Sequence, residues 1–416
     1  MDPGHFVLLL GGLLFLAFLA EALLERFRLP PVLLLLFCGV LLGPVFHVLP
    51  ATRFQQVAPH FGALAFLLVL FEGGLDLELK TLTAQLRSGM RLALFGFCLS
   101  AFAIGLLAWG AGLPPAPSIA FGLAAAPISG SIVIPLAKRV ALPPKGRTLV
   151  VLEASLADVL GVLSMALLLN LLGGGGLAAL VAAGNLFAAA FSVLVAGLAG
   201  LFWPPLLARI EQRRFLEVLT FGMAMLLWGL TELPGASGAL AVLAFGVALA
   251  NEAPLRRLFR LRPHPFAAFS ERQLARLREF IASLTFLVRT FFFVFLGVVV
   301  AVVDLDWRVA GVVVGSTAVV FGVRKLLLAW EFPGEALPDS LRRQLLFLQP
   351  RGLVSAVLAM EAAEAFPAHG AALLAGISGL ILLSNAALVF AIPGGQLGGS
   401  VTGSRRRHLA PPPAPP

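Results

Sequence analysis

Residues 148–170 read TLVVLEASLADVLGVLSMALLLN, an apolar run that is long enough to cross a bilayer as one helix. Two carboxylates, Glu153 and Asp158, interrupt this run near its middle. An acid at bilayer depth costs several kcal/mol on insertion scales, so it is normally paired, protonated or exposed to a wet cavity. The stretch therefore predicts a membrane helix that carries an ion or proton site.

The two acids face different surroundings. Five residues apart on a helix, they are offset by roughly 140° around the axis and about 7.5 Å along it. Ser155 lies three residues before Asp158 and shares its face, so its hydroxyl and the carboxylate could jointly coordinate a small hard cation. Glu153 points elsewhere, and we expect it to have a partner of its own.

The composition is that of a polytopic membrane protein. Of 416 residues, 59% are hydrophobic and only 12% are charged, about half the charged fraction of soluble proteins. We count thirteen mostly apolar runs of spanning length, starting near positions 6, 31, 58, 90, 118, 148, 177, 215, 236, 280, 308, 341 and 368. The sequence thus predicts an all-α protein with about 13 transmembrane helices.

The basic residues indicate the orientation. With the N-terminus outside, 25 of the 30 Lys and Arg residues fall in cytoplasmic segments, as the positive-inside rule requires. We expect a multi-pass protein of the bacterial inner membrane with a cytoplasmic C-terminus. The net charge of +9 then reflects orientation and contact with anionic lipid, and we assign it no nucleic-acid partner.

Two spans carry helix breakers at mid-depth. The fifth reads AAAPISGSIVIPL and the twelfth LLFLQPRGLVSAVLAM. Proline removes a backbone donor and glycine relaxes the backbone, so both helices should unwind there. The breaking and polar residues are Pro127, Ser129, Gly130 and Ser131 in the fifth span, and Pro350, Arg351 and Gly352 in the twelfth. A pair of interrupted helices seven spans apart points to an inverted-repeat secondary transporter with its site at the midplane.

Several motifs resemble one family, the monovalent cation/proton antiporters, and particularly their sodium/proton exchanger branch with 13 spans. The resemblance covers roughly residues 6–392. It is carried by LPPVLLLLFCGVLLGPV at 29–45, LFEGGLDLELKTL at 70–82, LEASLADV at 152–159, PGASGALAVLAFGVALAN at 234–251 and QPRGLVSAVLAM at 349–360.

The resemblance implies roles for the charged residues. Asp158 would be the alternating carrier of proton and cation. Apart from the resemblance, Ser155 is an ion-binding candidate because it shares the face of Asp158, and Ser129 and Ser131 either line the ion-binding cavity or bond to the backbone of their own helix. The family has two arginines 27 positions apart, a spacing that Arg324 and Arg351 share. Arg324 would pair with Glu153 as a structural ion pair, and Arg351 would sit at the broken twelfth helix.

The sequence also departs from the family pattern around the carrier. The family's Thr-Asp-Pro in the unwound fifth helix aligns with Ile128, Ser129 and Gly130, so a second site carboxylate is absent. The Asn that precedes the carrier Asp in the family is Ala157 here. Fewer oxygen ligands suggest weaker cation binding, altered selectivity, or a larger share for water and backbone carbonyls.

The resemblance further implies a domain organisation and a homodimer. We expect a transporter domain over 1–392 and a disordered cytoplasmic tail over 393–416, which is rich in Gly and Pro. Within the transporter we expect scaffold and dimer helices at about 6–77 and 215–303, core helices at about 90–170 and 308–392, and a linker helix at about 177–202.

The predicted function is antiport of a monovalent cation, Na⁺ before K⁺ or Li⁺, against H⁺ by competition at Asp158. We expect electroneutral exchange, no cofactor, and no metal other than the transported cation. Another secondary transporter, or a channel or sensor that lacks coupled exchange, is the alternative. An enzyme is disfavoured: Gly235 to Gly238 spell a serine-protease-like GASG, but no histidine lies within a later span to activate the serine.

Overall fold

The structure is a computed structural model of the chain. It describes residues 4, 8, 11–19, 31–46, 51–77, 79–139, 142–172, 178–207, 215–233, 236–260, 269–300, 307–333 and 338–390. Nearly all of these residues are helical, and none of them forms a strand. This confirms the predicted fold class. The predicted disordered tail at 393–416 lies outside the described residues.

Sixteen helices follow one another along the described chain. They are α1 (11–19), α2 (Pro31–Val40), α3 (Ala51–Asp76), α4 (Leu79–Gly110), α5 (Pro115–Ala125), α6 (Gly130–Arg139), α7 (Pro144–Leu172), α8 (Ala178–Leu207), α9 (Leu216–Glu232), α10 (Gly238–Ala250), α11 (Glu252–Leu258), α12 (Glu271–Val300), α13 (Trp307–Glu331), α14 (Asp339–Phe347), α15 (Leu353–Ala365) and α16 (Gly370–Ala386). Helices dominate because each satisfies its own backbone hydrogen bonds, which lipid cannot do.

Six of the described helices are long and apolar enough to cross a membrane unaided. Their spanning segments are Arg87–Gly110, Gly146–Leu172, Phe187–Leu207, Glu271–Val298, Trp307–Glu331 and Pro367–Ala386. A seventh candidate is the pair α10 and α11, which meet at an angle of 89°. The chain is thus a multi-pass membrane protein, and the count of thirteen crossings stays a prediction.

Both predicted interruptions are present. The fifth span divides into α5, which ends at Ala125, and α6, which begins at Gly130. The twelfth divides into α14, which ends at Phe347, and α15, which begins at Leu353. The two unwound stretches cross: the Ser129 N–H donates to the Pro350 carbonyl over 2.8 Å. Each break therefore satisfies part of the backbone that the other leaves open.

Glycine contacts bring several helices unusually close together. A Cβ added at Gly74 of α3 would lie 3.1 Å from the Gly246 Cα of α10, and the same holds in reverse. Gly39 of α2 and Gly297 of α12 face each other in the same way. A Cβ added at Gly39 would lie 2.8 Å from the Gly297 Cα. Small residues at such crossings let backbones approach, which drives helix association in lipid.

The packing places the acid-bearing helix among the broken ones. Helix α7 contacts α4, α5, α6 and α15, while α4 also packs on α5 and α13. Helix α3 packs on α10 and α12, and α12 packs on α2. The division into scaffold, linker and core stays a prediction.

Candidate ion-binding site

Asp158 lies on α7 and is almost completely buried, with 1% of the residue exposed. Its Oδ2 accepts a hydrogen bond of 3.3 Å from the N–H of Gly130, the first residue of α6. Backbone N–H groups in the first turn of a helix have no partner within the helix, and they favour an anion. The other oxygen, Oδ1, is buried without a hydrogen-bond partner among the described residues. One carboxylate oxygen is thus held by backbone, and the second has no hydrogen-bond partner among the described residues.

Ser155 lies on the same helix one turn earlier and is also buried. Its Oγ donates to the Val151 carbonyl of the preceding turn over 3.0 Å. The oxygen also lies 3.8 Å from where a Cβ on Gly73 of α3 would stand. The hydroxyl hydrogen is therefore used within α7, while the oxygen's acceptor capacity is directed at the α3 side.

The two serines of the fifth span differ in what the structure describes. Ser129 is buried at the crossing, one residue before Gly130, and its hydroxyl packs directly against Gly352 of the other break. Its carbonyl accepts from Val133 N–H over 3.0 Å, which helps to start α6. Ser131 lies in α6, and its side chain is outside the described part of the chain.

Glu153 and Arg324 form an ion pair deep in the protein. The Arg324 Nη1 donates to Glu153 Oε1, and each residue is 2% exposed. The Nε of Arg324 donates to the Leu345 carbonyl on α14 over 3.0 Å. The pair therefore joins α7, α13 and α14, and it uses a different face of α7 from Asp158.

Arg351 lies in the break of the twelfth span and is fully buried. Its backbone N–H donates to Ser384 Oγ over 3.0 Å, and its carbonyl accepts from Asn385 Nδ2 over 2.8 Å. Its side-chain Nε donates to the carbonyl of Ala125, the last residue of α5, over 2.8 Å. Arg351 thereby connects both breaks to α16.

Sequence reasoning missed Ser384 and Asn385. Their signal was present: two adjacent polar residues interrupt the apolar run ILLSNAALVF in the last span. Polar side chains within a membrane helix usually bond to a neighbouring helix. Here they hold the unwound backbone that presents Arg351.

A small polar cavity separates the ion pair from Arg351. Its volume is about that of one water molecule. Glu153 Oε2, Arg324 Nη2 and Arg351 Nη1 are buried with no hydrogen-bond partner among the described residues. Arg351 thus lines the same cavity as the two members of the ion pair. The cavity is lined by, among others, Ser100, Ala157, Gln349, Glu153, Arg324 and Arg351. A water molecule at this position would have these three unpartnered groups as hydrogen-bond partners.

Two crossing interrupted helices beside a buried membrane carboxylate define a class of protein, the secondary transporters whose site lies where broken helices meet. The particular family follows from comparison with known proteins. The family model described as "Sodium/hydrogen exchanger, transmembrane" matches residues 14–391. The chain belongs to this family, which is one of transporters.

Individual relatives agree with the family in sequence and fold. The curated Na(+)/H(+) antiporter 1 of Methanocaldococcus jannaschii is 25% identical over 369 residues, covering 84% of this chain and 82% of that protein. The solved structure of the sodium proton antiporter MjNhaP1 from the same organism, at pH 8, has a TM-score of 0.75 at 22% identity, with 96% of this chain and all of the other covered. A second structure of MjNhaP1, an electron microscopy map, has a TM-score of 0.72 at 23% identity, covering 94% and 96%. These structures are similar to this chain in fold.

Proposed function

We propose that the protein is an antiporter that exchanges Na⁺ for H⁺, with Asp158 as the group that carries either ion. The observation that supports this most directly is the state of that carboxylate. It is buried on a membrane helix, the backbone of a broken helix holds one oxygen, and the other oxygen has no partner among the described residues.

Competition for one carboxylate gives coupled exchange without any further device. A proton or a cation can neutralise Asp158, and a buried carboxylate that is not neutralised is costly to move through the membrane. Only the two loaded forms would then change between inward and outward states, as alternating access requires. The relatives named as Na⁺/H⁺ antiporters support sodium as the cation.

Few protein oxygens other than those of Asp158 are available to the cation. Ser155 and Ser129 can contribute hydroxyl oxygens, and Ser131 is a further candidate from its position in the sequence. Glu153 and Arg324 form a structural pair and do not carry ions. Water and backbone carbonyls would complete the shell, since small hard cations accept such ligands.

The wider setting follows the sequence. We place the protein in the bacterial inner membrane with its N-terminus outside and its C-terminus in the cytoplasm. We also keep the scaffold and core division, and the homodimer formed through the scaffold helices, that the resemblance in sequence implies.

A dequenching assay tests the proposal. Purified protein in liposomes with an acidic interior and an internal pH dye should release protons on addition of Na⁺, with K⁺ and Li⁺ titrated in parallel. Asp158→Asn should abolish the response while the protein still melts as wild type. A cation conductance without proton movement would indicate a channel instead, and a response retained by Asp158→Asn would remove this residue from the carrier role.

A further inference from the structure

A surface groove lies between α4 and α7, on the outer side of the helix that carries Asp158. Its volume is about 350 Å³. Helices α4 and α7 pack tightly beside it, since a Cβ on Gly89 would lie 2.6 Å from Leu152 Cδ2. The groove is lined by Arg87, Met90, Arg91 and Leu94 from α4 and by Leu156 and Leu160 from α7, among others. Two arginines thus adjoin an otherwise apolar cleft.

The arginines place positive charge at one end of the groove. Arg87 and Arg91 are four residues apart and share a helix face. Arg91 is partly engaged, because its Nη2 donates to Glu331 Oε1 over 2.6 Å and its guanidinium lies over the Trp330 ring. Arg87 is exposed and has no hydrogen bond or ion pair among the described residues. Within the described part of the chain, the charge of Arg87 therefore has no counter-charge bonded to it.

The groove runs from the headgroup level of the membrane into the apolar region, as a lipid molecule does. Arg87 begins the spanning segment Arg87–Gly110, which places it at headgroup level. The apolar wall then continues along α4 to Leu94, about 10 Å deeper at 1.5 Å per residue. Leu94 is 47% exposed, although it lies within that spanning segment. A charged entrance above an apolar floor fits a molecule with an anionic head and a hydrocarbon tail.

A second groove lacks this combination of charge and apolar space. It lies between α4 and α5 and is larger, about 490 Å³. Phe102, Leu106, Trp109 and Ile119 line it together with other residues, and none of its lining residues is charged. Of these two grooves in the described part of the chain, the one between α4 and α7 combines lipid-sized apolar space with an arginine that has no ion pair among the described residues.

We propose that the groove between α4 and α7 binds one glycerophospholipid with an anionic headgroup. The phosphate contacts Arg87 and Arg91, and one acyl chain lies against Leu156 and Leu160. Basic pockets between membrane helices on the cytoplasmic side are known to recognise such headgroups. The lipid would cover the outer face of α7 and move together with this helix.

Native mass spectrometry of the delipidated full chain in neutral detergent tests this. Phosphatidylglycerol and phosphatidylcholine with identical acyl chains are titrated, and phosphatidylglycerol should bind more tightly. Arg87→Gln should weaken phosphatidylglycerol binding about fivefold, the worth of one arginine near a membrane surface, and leave phosphatidylcholine binding unchanged. Arg276→Gln is the matched control, because Arg276 is exposed on α12 and has no ion pair among the described residues.

A second variant tests whether the acyl chain lies in the apolar part of the groove. Leu94→Trp fills the groove from its lipid-exposed rim and should weaken binding of both lipids, with an unchanged melting temperature in lipid-free detergent. Inorganic phosphate should not compete. Equal affinity for the two lipids, equal losses in Arg87→Gln and Arg276→Gln, unchanged binding in Leu94→Trp, or displacement by phosphate alone would each overturn the proposal.

Discussion

Glu153 and Arg324 are the charges whose loss should most damage stability. Glu153→Gln leaves the buried Arg324 facing a neutral partner, and Arg324→Gln leaves Glu153 with neither its ion pair nor another described partner. Breaking one side of a buried pair typically costs about 3–5 kcal/mol, because the remaining charge stays desolvated. Thermal unfolding in detergent should therefore show a large drop in melting temperature for either variant.

Asp158→Asn is the control for this prediction. The amide keeps a carbonyl oxygen that can accept from Gly130 N–H, and it removes a charge that has no ion pair among the described residues. Its melting temperature should stay near that of wild type. A loss of equal size in all three variants would contradict the division between an anchoring pair and a carrier.

Gly352 should not tolerate a side chain. An added Cβ would overlap Ser129 Oγ and lie 2.8 Å from Ser129 Cβ and 2.9 Å from Ile132 Cδ1. Gly352→Ala should therefore separate the two crossing breaks, with an overpacking cost of about 1–3 kcal/mol and a loss of exchange. Gly322→Ala is the matched control, since nothing lies within 4 Å of a Cβ there. Equal melting temperatures and exchange rates for the two variants would contradict the crossing geometry.

At single positions the sequence predicts partners better than it predicts hydrogen bonds. That Glu153 needs a partner was predictable, because a buried membrane acid needs a counter-charge. That Arg324 is this partner came from the family resemblance, since more than one arginine lies in or near the spans. The hydrogen bond from Ser155 to the Val151 carbonyl was not predictable, because a serine in a helix can bond either to its own backbone or to a ligand. The Gly130 N–H bond to Asp158 was missed as well, because glycine was considered only as a breaker.

Among the helices, the contact of α3 with α10 depends on Gly74 and Gly246. A Cβ at Gly246 would already lie 2.9 Å from the Phe71 carbonyl oxygen. Gly246→Leu should push the helices apart and lower the melting temperature by many degrees, since membrane helices associate through such close packing. Gly222→Leu on α9 meets nothing within 4 Å of its Cβ and should melt as wild type. A Gly246→Leu variant with an unchanged melting temperature would show that α3 and α10 can separate without loss of stability.

Hydropathy located the elements but not their ends. The fourth apolar run was predicted to start near residue 90, yet α4 begins at Leu79. Helices continue past the apolar region into the interface, where composition no longer distinguishes them from loops. Both breaks could be predicted from Pro and Gly, because these residues act on the local backbone. The 89° turn between α10 and α11 was missed, although Pro254 in the first turn of α11 cannot donate to the Ala250 carbonyl at the end of α10. A long-range contact at the turn was not predictable: Asn251 Nδ2 donates to the Leu77 carbonyl over 2.6 Å.

For the whole molecule, the charges of the site predict the electrical character of transport. The described site holds two acids, Glu153 and Asp158, and two arginines, Arg324 and Arg351, all buried. A proton or a monovalent cation bound to Asp158 adds the same single positive charge to the site. Both loaded forms thus have the same charge, so a complete exchange cycle should move none across the membrane.

Proteoliposomes with a clamped potential provide the measurement. Sodium-driven proton movement should have the same rate with valinomycin-set potentials of either sign and with none, because one elementary charge would couple to about 2.3 kcal/mol per 100 mV. An electrogenic cycle would instead change its rate severalfold and generate a potential that a voltage-sensitive dye reports. Such a result would contradict the assignment of Asp158 as the single carrier of charge.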